Sequence, residues 1–324
     1  MSRWLVTGGA GYIGAHVIRV LENAGFEPVV LDDMSTGVPA KVPSHVPIHR
    51  ASVLDTRAVQ QVLDSERIDG VVHLAAKKSA SESVTQPWLY YRENVEGMLS
   101  LLAAMRAAGV RRLVYSSSAA VYGNQDRDPI LETFPLSPQS PYGETKVIGE
   151  WLARSAGATD SVSWAALRYF NVAGAAERAL GDIGVANLIP MVFEAIDAGR
   201  DPQIFGADYA TPDGTCIRDF VHVSDLAEAH AAAAAYVMQT QADSVLNVGR
   251  GHGSSVRDIM SVVAEVTGVP LRPQVAPRRP GDIVTSVAGV DLIGDVLGWR
   301  ATRDLRAMVE SAWQAWRYAR GSAT

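Results

Sequence analysis

Cysteine is almost absent from this sequence: Cys216 is the only one in 324 residues, so no intramolecular disulfide can form. Disulfide frameworks are typical of secreted proteins, and their absence favours a reducing compartment. The opening residues M-S-R-W-L-V-T-G-G also lack the long apolar region and the small-residue cleavage site of a signal peptide. We therefore expect a cytoplasmic protein.

Long apolar runs and long runs of like charge are also missing. No apolar stretch reaches the ~18 uncharged residues that a membrane span needs, which argues against a membrane protein. The net charge is −6 and is spread along the chain, which argues against a nucleic-acid surface. We expect no metal site and no nucleic-acid or membrane partner.

An apolar segment runs directly into three spaced glycines near the start of the chain, in L-V-T-G-G-A-G-Y-I-G at residues 5–14. This spacing matches the G-x-G-x-x-G fingerprint of dinucleotide-binding turns. Glycine lets the backbone turn tightly and approach a pyrophosphate, and a helix predicted at 13–24 would point its first N–H groups at the phosphates. The glycines that recur every third residue are Gly8, Gly11 and Gly14.

A second predicted strand, at 28–31, ends on Asp32. This is about the distance from the glycines at which an acid binds the ribose 2′-OH of a dinucleotide. A carboxylate here repels a 2′-phosphate, so the sequence favours NAD over NADP. The remaining alternative is a structural turn that binds no nucleotide.

The chain then alternates between helices and strands, which predicts an α/β protein with a Rossmann-type doubly wound parallel sheet. We predict helices at 56–66, at 87–108 and from 142 onward, and strands at 70–74, 112–116 and 163–167. Ligands of such sheets bind at the carboxyl ends of the strands. Besides Gly8 and Asp32, those ends carry Leu74, Ala75, Ala76 and Ser116 to Ser118.

After residue 171 the alternation loosens, and the later short elements suit a substrate-gripping unit better than an extension of the sheet. We therefore predict an NAD-binding domain at 1–170 and a smaller C-terminal α/β substrate domain at 171–324, with some segments crossing back to the first. The alanine-rich run at 229–237 is predicted to be a packed helix, and the amphipathic segment 305–318 to pack through Trp313 and Trp316.

Tyr142 and Lys146 stand four residues apart on a predicted helix, so their side chains share one face. A tyrosine titrates near ~10, so its use as a base near neutral pH needs a neighbouring positive charge. Lys146 and a nicotinamide ring could supply that charge, and Ser118 could bond the same substrate oxygen. Alone, this pair would be read as a surface pair, but together with the glycine turn it predicts a catalytic site.

Seven motifs together make the chain resemble the extended short-chain dehydrogenase/reductase family, and within it the UDP-glucose 4-epimerase (UDP-galactose 4-epimerase) group. The resemblance runs nearly end to end, and the D-G-T-C-I-R-D-F-V-H-V run is its most specific part. The motifs are V-T-G-G-A-G-Y-I-G at 6–14, H-L-A-A-K-K-S-A-S-E-S-V at 73–84, S-S-S-A-A-V-Y-G at 116–123, P-Y-G-E-T-K at 141–146, L-R-Y-F-N at 167–171, D-G-T-C-I-R-D-F-V-H-V-S-D-L-A at 213–227 and A-P-R-R-P-G-D at 276–282.

The resemblance implies an NAD-dependent enzyme that interconverts UDP-glucose and UDP-galactose. The sugar would be oxidised transiently at C4 to a 4-keto sugar, and hydride would return to its opposite face. It also implies a homodimer built from the helices at 87–108 and 142–155. Catalysis would rest on Tyr142 as acid and base, on Lys146, which also binds the nicotinamide ribose, and on Ser118, which bonds the sugar.

For the cofactor, the resemblance adds to the glycines and Asp32 a set of neighbours around adenine, ribose and nicotinamide: Tyr12, Ile13, Ser52, Val53, Leu74, Ala75, Ala76, Lys78, Asn94, Ser116, Tyr142, Lys146 and Tyr169. For the UDP-sugar it implies Lys78, Ser118, Tyr142, Phe170, Asn171, Asn187, Leu188, Phe205, Arg218, Arg279, Asp282 and Ser286. Two arginines suit a diphosphate, and a phenylalanine can stack on uracil. Taken singly, Asn171 and Asn187 could also be turn or cap residues.

Two positions depart from the family pattern. Ser52 stands where relatives carry an acid that contacts adenine, and Ala120 stands where they often have threonine. The protein therefore lacks a charge at the adenine contact, and it lacks the threonine hydroxyl near the sugar.

Ser286 bears on substrate breadth. Relatives with tyrosine at this position handle plain hexoses, whereas those with a small residue also admit the 2-acetamido group. Serine therefore predicts activity on UDP-GlcNAc and UDP-GalNAc as well, unless Ser286 lies on a solvent-facing loop.

Two other functions fit the same fold. A sugar-nucleotide 4,6-dehydratase needs an acid pair beside the catalytic serine, where this chain has Ala119 and Ala120. A non-catalytic NAD sensor typically lacks the Tyr/Lys pair, which this chain has. Another UDP-sugar 4-epimerase remains open.

Overall fold

The computed structural model describes residues 1–125, 127–239, 243–279 and 282–321. Its centre is a seven-stranded parallel sheet in the order β10-β6-β5-β4-β1-β2-β3. Its strands are β1 Ser2–Thr7, β2 Phe26–Asp32, β3 Ile48–Arg50, β4 Gly70–His73, β5 Arg112–Ser116, β6 Ser163–Tyr169 and β10 Asp243–Val248. The Rossmann-type fold expected from the sequence is confirmed.

Helices pack on both faces of this sheet. They are α1 Tyr12–Asn23, α2 Thr56–Ser65, α3 Ala80–Thr85, α4 Pro87–Tyr90, α5 Gly97–Ala108, α6 Pro141–Asp160 and α8 Val223–Gln239. Side chains of α1 and α8 share one hydrophobic core with the sheet, and those of α2, α5 and α6 share a second core on the other face. The strands of this sheet carry apolar side chains on both faces, as parallel strands covered by helices require.

The remaining elements build a smaller unit. Its helices are α7 Leu188–Asp197, α9 Val256–Thr267 and α11 Leu305–Ala319, whereas α10 Asp291–Leu297 packs Ile293 into the core that α8 shares with the large sheet. Its strands are β7 Asn171–Ala173, β8 Gln203–Phe205, β9 Ile217–His222, β11 Gly253–Ser255, β12 Gln274–Ala276 and β13 Thr285–Ser286. Trp316 is 1% exposed, and Trp313 packs on Phe193, as predicted for the terminal helix.

Strand β10 returns to the large sheet and pairs with β6 from Asp243↔Trp164 to Val248↔Tyr169. The expectation that the segments after residue 171 do not extend the sheet is therefore wrong for this strand. It holds for β7, β9, β11 and β13, which form a separate sheet. The proposed boundary at residue 170 stays a prediction.

The segment 87–108 is helical throughout, as expected, but it is not α-helical throughout. A π-helical stretch at Tyr91–Glu96 lies between α4 and α5. Such π turns are rare and frequently lie at functional sites. Here the stretch carries Asn94, whose side chain is 3% exposed and turned into the protein.

Within the described ranges, we find no helix that combines the length and the apolar character needed to cross a bilayer.

Candidate active site

The turn between β1 and α1 has a shape that only glycine permits. Gly8 has a φ of +70°, and a Cβ on it would lie 2.9 Å from the backbone nitrogen of Ala75. A Cβ on Gly14 would lie 2.3 Å from the carbonyl oxygen of Gly8. The backbone N–H of Gly11 donates to that same oxygen at 3.1 Å. The result is a tight backbone cradle at the start of a helix, which is what a pyrophosphate site requires.

Asp32 ends β2 beside this cradle, with its carboxylate largely buried. It accepts hydrogen bonds from the backbone N–H of Ala10 at 3.0 Å and of Met34 at 2.9 Å. Burial raises the pKa of Asp32 above its usual 3.8, and the two N–H donors oppose that rise. A carboxylate has about four acceptor positions, so two stay available for ribose hydroxyls.

The end of β4 is held by polar side chains. The hydroxyl of Thr7 lies 2.7 Å from Nδ1 of His73 and accepts from the Ala75 N–H at 3.3 Å. The amide of Asn94 bonds the backbone of Lys77 in both directions and donates to Thr145 at 3.0 Å. Asn94 thus positions the segment before Lys78. A direct contact of Asn94 with the ribose stays a prediction.

Ser118, Tyr142 and Lys146 come together at the carboxyl edge of the sheet. Ser140 caps helix α6 through the Gly143 N–H, which places Tyr142 on the first turn. The Lys146 ammonium lies 5.8 Å from the centroid of the Tyr142 ring and donates to the Ser116 carbonyl at 2.8 Å. The side chains of Ser118, Tyr142 and Lys146 are each at least nine-tenths buried.

Burial dominates the titration of this group. It raises the pKa of Tyr142 above 10.0, although a hydrogen bond from Ser118 lowers it. Burial also lowers the pKa of Lys146 to about 8, and the negative charge of Glu150 opposes this. Tyr142 by itself is therefore almost entirely protonated near neutral pH and needs neighbouring positive charge to form phenolate.

Predicted neighbours of the cofactor, Ser116 and Tyr169, and of the sugar, Phe170, end or directly follow the strands β5 and β6. The hydroxyls of Ser116 and Tyr169 bond each other, and Phe170 is 6% exposed. At the other end of the site, Val53 is buried, and the Ser52 hydroxyl accepts from the Leu54 N–H at 3.1 Å. That bond uses one of the acceptor positions through which Ser52 could bind adenine.

A second cluster contains three of the residues predicted to hold UDP, which are Phe205, Arg279 and Asp282. Pairing of β8 with β12 brings Phe205 near Arg279, whose guanidinium carbon lies 3.8 Å from the Phe205 ring centroid. For that ring face to stack on uracil, the guanidinium must move away. The Asp282 N–H donates to the Arg279 carbonyl at 3.2 Å, and the intervening residues 280 and 281 lie outside the described ranges.

Ser286 lies in β13 directly opposite Arg218 of β9 and is 8% exposed. The alternative of a solvent-facing loop is therefore excluded. Residues opposite each other in paired strands point to the same face of a sheet. Ser286 and Arg218 thus share one face of this sheet.

A small pocket lies between Tyr12, which begins α1, and the smaller unit. Its lining includes Tyr12, Gly174, Asp182, Asn187, Phe193 and Phe220. The Tyr12 hydroxyl donates to the Gly174 carbonyl at 2.6 Å, and the Asn187 amide donates to Asp182 at 2.9 Å. Asn171 is exposed at the start of β7, and Leu188 begins α7.

Sequence reasoning missed three buried polar residues beneath the catalytic group: Ser117, Glu150 and Arg168. The Ser117 hydroxyl donates to Glu150 at 2.5 Å, and Arg168 binds the same carboxylate through two nitrogens. Charged residues inside the apolar runs of β6 and α6 were the available signal, because charges are rarely buried without a partner.

The chain is similar to known proteins over nearly its whole length. Residues 4–249 match the model of the family described as "NAD dependent epimerase/dehydratase family". A UDP-glucose 4-epimerase from Azospirillum brasilense is 43% identical over 96% of this chain and 90% of its own. The crystal structure of a UDP-glucose 4-epimerase from Stenotrophomonas maltophila, with bound NAD and formylated UDP-arabinopyranose, is 37% identical. It superposes with a TM-score of 0.96 and covers 100% of both chains.

A UDP-Glc/GlcNAc 4-epimerase structure from Campylobacter jejuni is also similar, with a TM-score of 0.87 and 34% identity over 98% of this chain and 100% of that one. The glycine cradle, the acid at the end of β2 and the Ser/Tyr/Lys group therefore stand in a chain whose similarity extends over its whole length. The chain belongs to the NAD dependent epimerase/dehydratase family.

Proposed function

We propose that this protein is a UDP-glucose 4-epimerase, which interconverts UDP-glucose and UDP-galactose with NAD kept bound throughout. The observation that carries the proposal is the meeting of Ser118, Tyr142 and Lys146 beside the glycine cradle, in a fold shared with epimerases end to end. A dehydratase would need an acid pair where Ala119 and Ala120 stand.

The residues present fit NAD. The cradle of Gly8, Gly11 and Gly14 lets the backbone at the start of α1 approach a pyrophosphate closely, and Asp32 is placed for the ribose hydroxyls. When bound, NAD supplies the hydride acceptor and donor for C4 of the sugar.

The chain's own residues handle the proton. Tyr142 takes it from the 4-OH as the sugar is oxidised, and returns it to the 4-keto oxygen after the sugar has presented its opposite face. Lys146 supplies the positive charge that favours the phenolate form of Tyr142. Ser118 donates a hydrogen bond to the same sugar oxygen and so fixes its position.

The UDP must stay fixed while the sugar turns. Arg218 and Arg279 suit the diphosphate, and Phe205 suits the uracil. Asn187, Leu188 and Asp282 complete the predicted grip. Firm contacts to UDP together with few contacts to the sugar permit inversion without release of the 4-keto intermediate.

The direct test is an assay of purified protein with UDP-galactose and no added NAD. We expect UDP-glucose as the product, because cofactor purified with the protein is regenerated in each cycle. A 4-keto-6-deoxy product would instead identify a dehydratase, and the absence of any product would point to a sensor.

Asp32→Ala should relax the preference for NAD over NADP. Loss of charged hydrogen bonds to the ribose should weaken NAD binding at least about tenfold, while the removal of repulsion improves NADP binding. Binding titrations with both dinucleotides measure the ratio. Asp33→Ala, which removes the exposed neighbouring carboxylate, is the matched control and should leave the ratio unchanged. Unchanged selectivity in Asp32→Ala would refute the assignment.

We also propose that the enzyme accepts UDP-GlcNAc and UDP-GalNAc, because Ser286 is small and lies beside Arg218. Ser286→Tyr should then reduce turnover of the acetamido sugars about 10- to 100-fold and spare UDP-galactose, since overpacking costs about 1–3 kcal/mol.

Thr285→Tyr is the control for Ser286→Tyr, since neighbouring side chains on a strand point to opposite faces. Turnover of the four substrates under saturating conditions is the measurement. Equal effects of Ser286→Tyr on both sugar classes would place the determinant of breadth elsewhere.

A homodimer is the final part of the proposal. Large apolar side chains stand exposed on α3 to α6: Val84 at 64%, Trp88 at 81%, Leu99 at 48% and Trp151 at 55%. A second copy of the chain would cover them, and Trp88, Leu99 and Trp151 lie on the helices at 87–108 and 142–155 that the resemblance implies for this contact. The single, free Cys216 supports a cytoplasmic location.

A further inference from the structure

A buried ion pair lies directly behind the catalytic group. The side chains of Glu150 and Arg168 are 2% and 4% exposed and meet at 2.6 Å. The contact is bidentate, because Nε of Arg168 also binds the second carboxylate oxygen, at 2.8 Å. A paired charge at this depth contributes little net stability compared with an apolar pair of similar size. Net stability therefore does not account for this ion pair, which favours a role in positioning.

The carboxylate of Glu150 connects the catalytic helix to the catalytic strand end. Glu150 lies one helical turn after Lys146 on α6, so the two side chains share a face. It also accepts a hydrogen bond from Ser117, the residue directly before Ser118. Lys146 in turn bonds the carbonyl of Ser116.

Arg168 has little freedom to move. Besides Glu150, it donates to the Tyr122 hydroxyl at 2.9 Å, and its guanidinium carbon lies 4.9 Å from the Tyr122 ring centroid. The Tyr122 hydroxyl donates onward to Asn247 of β10 at 2.7 Å. The carboxylate is therefore held by a fixed partner that is itself anchored in the sheet.

We propose that Glu150 is a positioning residue for epimerisation: held by Arg168, its carboxylate fixes the Ser116 to Ser118 strand end against α6 and places a negative charge one helical turn from Lys146. This inference rests on the proposed function. It assigns Glu150 no contact with substrate or cofactor.

The charges around Lys146 determine the direction in which its pKa should change when Glu150 is neutralised. Burial lowers the pKa of Lys146 to about 8, and Glu150 raises it. His73 has a pKa lowered to about 3 by burial and by Lys146, so it is neutral at working pH. Without the Glu150 charge, Lys146 should lose its proton at lower pH. The strands and helices add Tyr115 from β5, Tyr142 from α6, and Tyr169 and Arg168 from β6 to the titratable or charged groups near Lys146 and Glu150. The segment between β5 and α6 adds Tyr122 and Glu132, which face Arg168.

Glu150→Gln tests the proposal with almost no change in size. We expect kcat with UDP-galactose to fall at least about tenfold, since misplacement by about 1 Å can cost 10²-fold. The dissociation constant of UDP should stay unchanged. The alkaline limb of the kcat against pH profile should move to lower pH, whereas a purely structural role would leave that limb in place.

Glu150→Gln leaves Arg168 without its charged partner, so it should also lose stability. Glu150→Gln/Arg168→Met removes both charges and should regain most of the melting temperature. The proposal expects the lower kcat and the displaced alkaline limb to persist in this double variant. Recovery of both together with stability would overturn it.

Ser117→Ala keeps the ion pair and the fold, and so decides the matter if the double variant does not fold. It should lower kcat without moving the alkaline limb, and an unchanged kcat would overturn the positioning of the strand end. Asp225→Asn is the control, because it removes the charge of the buried Asp225 from its ion pair with the partly exposed Arg303. It should lower the melting temperature and leave the pH profile alone.

An assay of the wild-type enzyme with UDP-galactose distinguishes failure of the proposed function from failure of the role of Glu150. If it does not convert UDP-galactose, the proposed function fails. If it does and the Glu150 variants retain its kcat and pH profile, only the role of Glu150 fails.

Discussion

Tyr142→Phe should abolish nearly all epimerisation while the protein keeps its NAD and its affinity for UDP. The change removes only the hydroxyl that carries the proton, and the ring that packs beside Lys146 stays in place. General acid and base catalysis contributes about 10²- to 10⁴-fold, so the loss of turnover should be at least about 100-fold. Turnover of UDP-galactose, bound NAD and UDP binding should be measured on one preparation.

Tyr90→Phe is the matched control for Tyr142→Phe. The Tyr90 ring lies edge-on to Tyr142 at 6.4 Å, but its hydroxyl bonds Glu82 and the Ser79 N–H instead of the site. Its loss should leave kcat nearly unchanged. A Tyr142→Phe enzyme with more than about a tenth of wild-type turnover would contradict the acid/base assignment.

Gly14→Ala should yield protein without bound NAD and with at least about 100-fold lower activity, because relieving the clash shifts α1 by about 1 Å from the cofactor turn. The added Cβ would stand 2.3 Å from the Gly8 carbonyl oxygen and 2.6 Å from the Gly9 Cα, so backbone must move. The absorbance of bound cofactor and the melting temperature are the measurements.

Gly294→Ala adds the same methyl group to helix α10, where the nearest atom is the flexible end of Arg300 at 3.1 Å. It should keep cofactor and activity. If Gly14→Ala retained NAD at the wild-type level, the glycine turn would not be the pyrophosphate site.

Local patterns predicted the parts of the site that depend on one segment of chain. The Gly8 to Gly14 spacing implied a turn in which a side chain cannot fit, and the structure has that turn. The spacing of Tyr142 and Lys146 implied a shared helix face, and both side chains lie on it. Each feature requires only a few consecutive residues to adopt one conformation.

Features that depend on distant segments escaped prediction. The stacking of Arg279 on Phe205 arises from the pairing of β8 with β12, about which the short apolar strands say little. The meeting of Glu150 and Arg168 requires the exact packing of α6 on β6. Hydrophobic periodicity reports which face of an element is buried, but not which polar residue meets which partner.

The return of β10 to the sheet has a consequence for how the nascent chain folds. Strand β6 finds its neighbour β10 only after residue 248 has been synthesised, and α8, which covers one face of the sheet, ends at Gln239. Until then, the edge of β6 and the apolar face beneath α8 stay open while the ribosome adds some 80 residues beyond β6, at about 5–20 residues per second. The cofactor-binding sheet is therefore completed late in translation, and an open strand edge exposed for that long is a site where chaperones can bind.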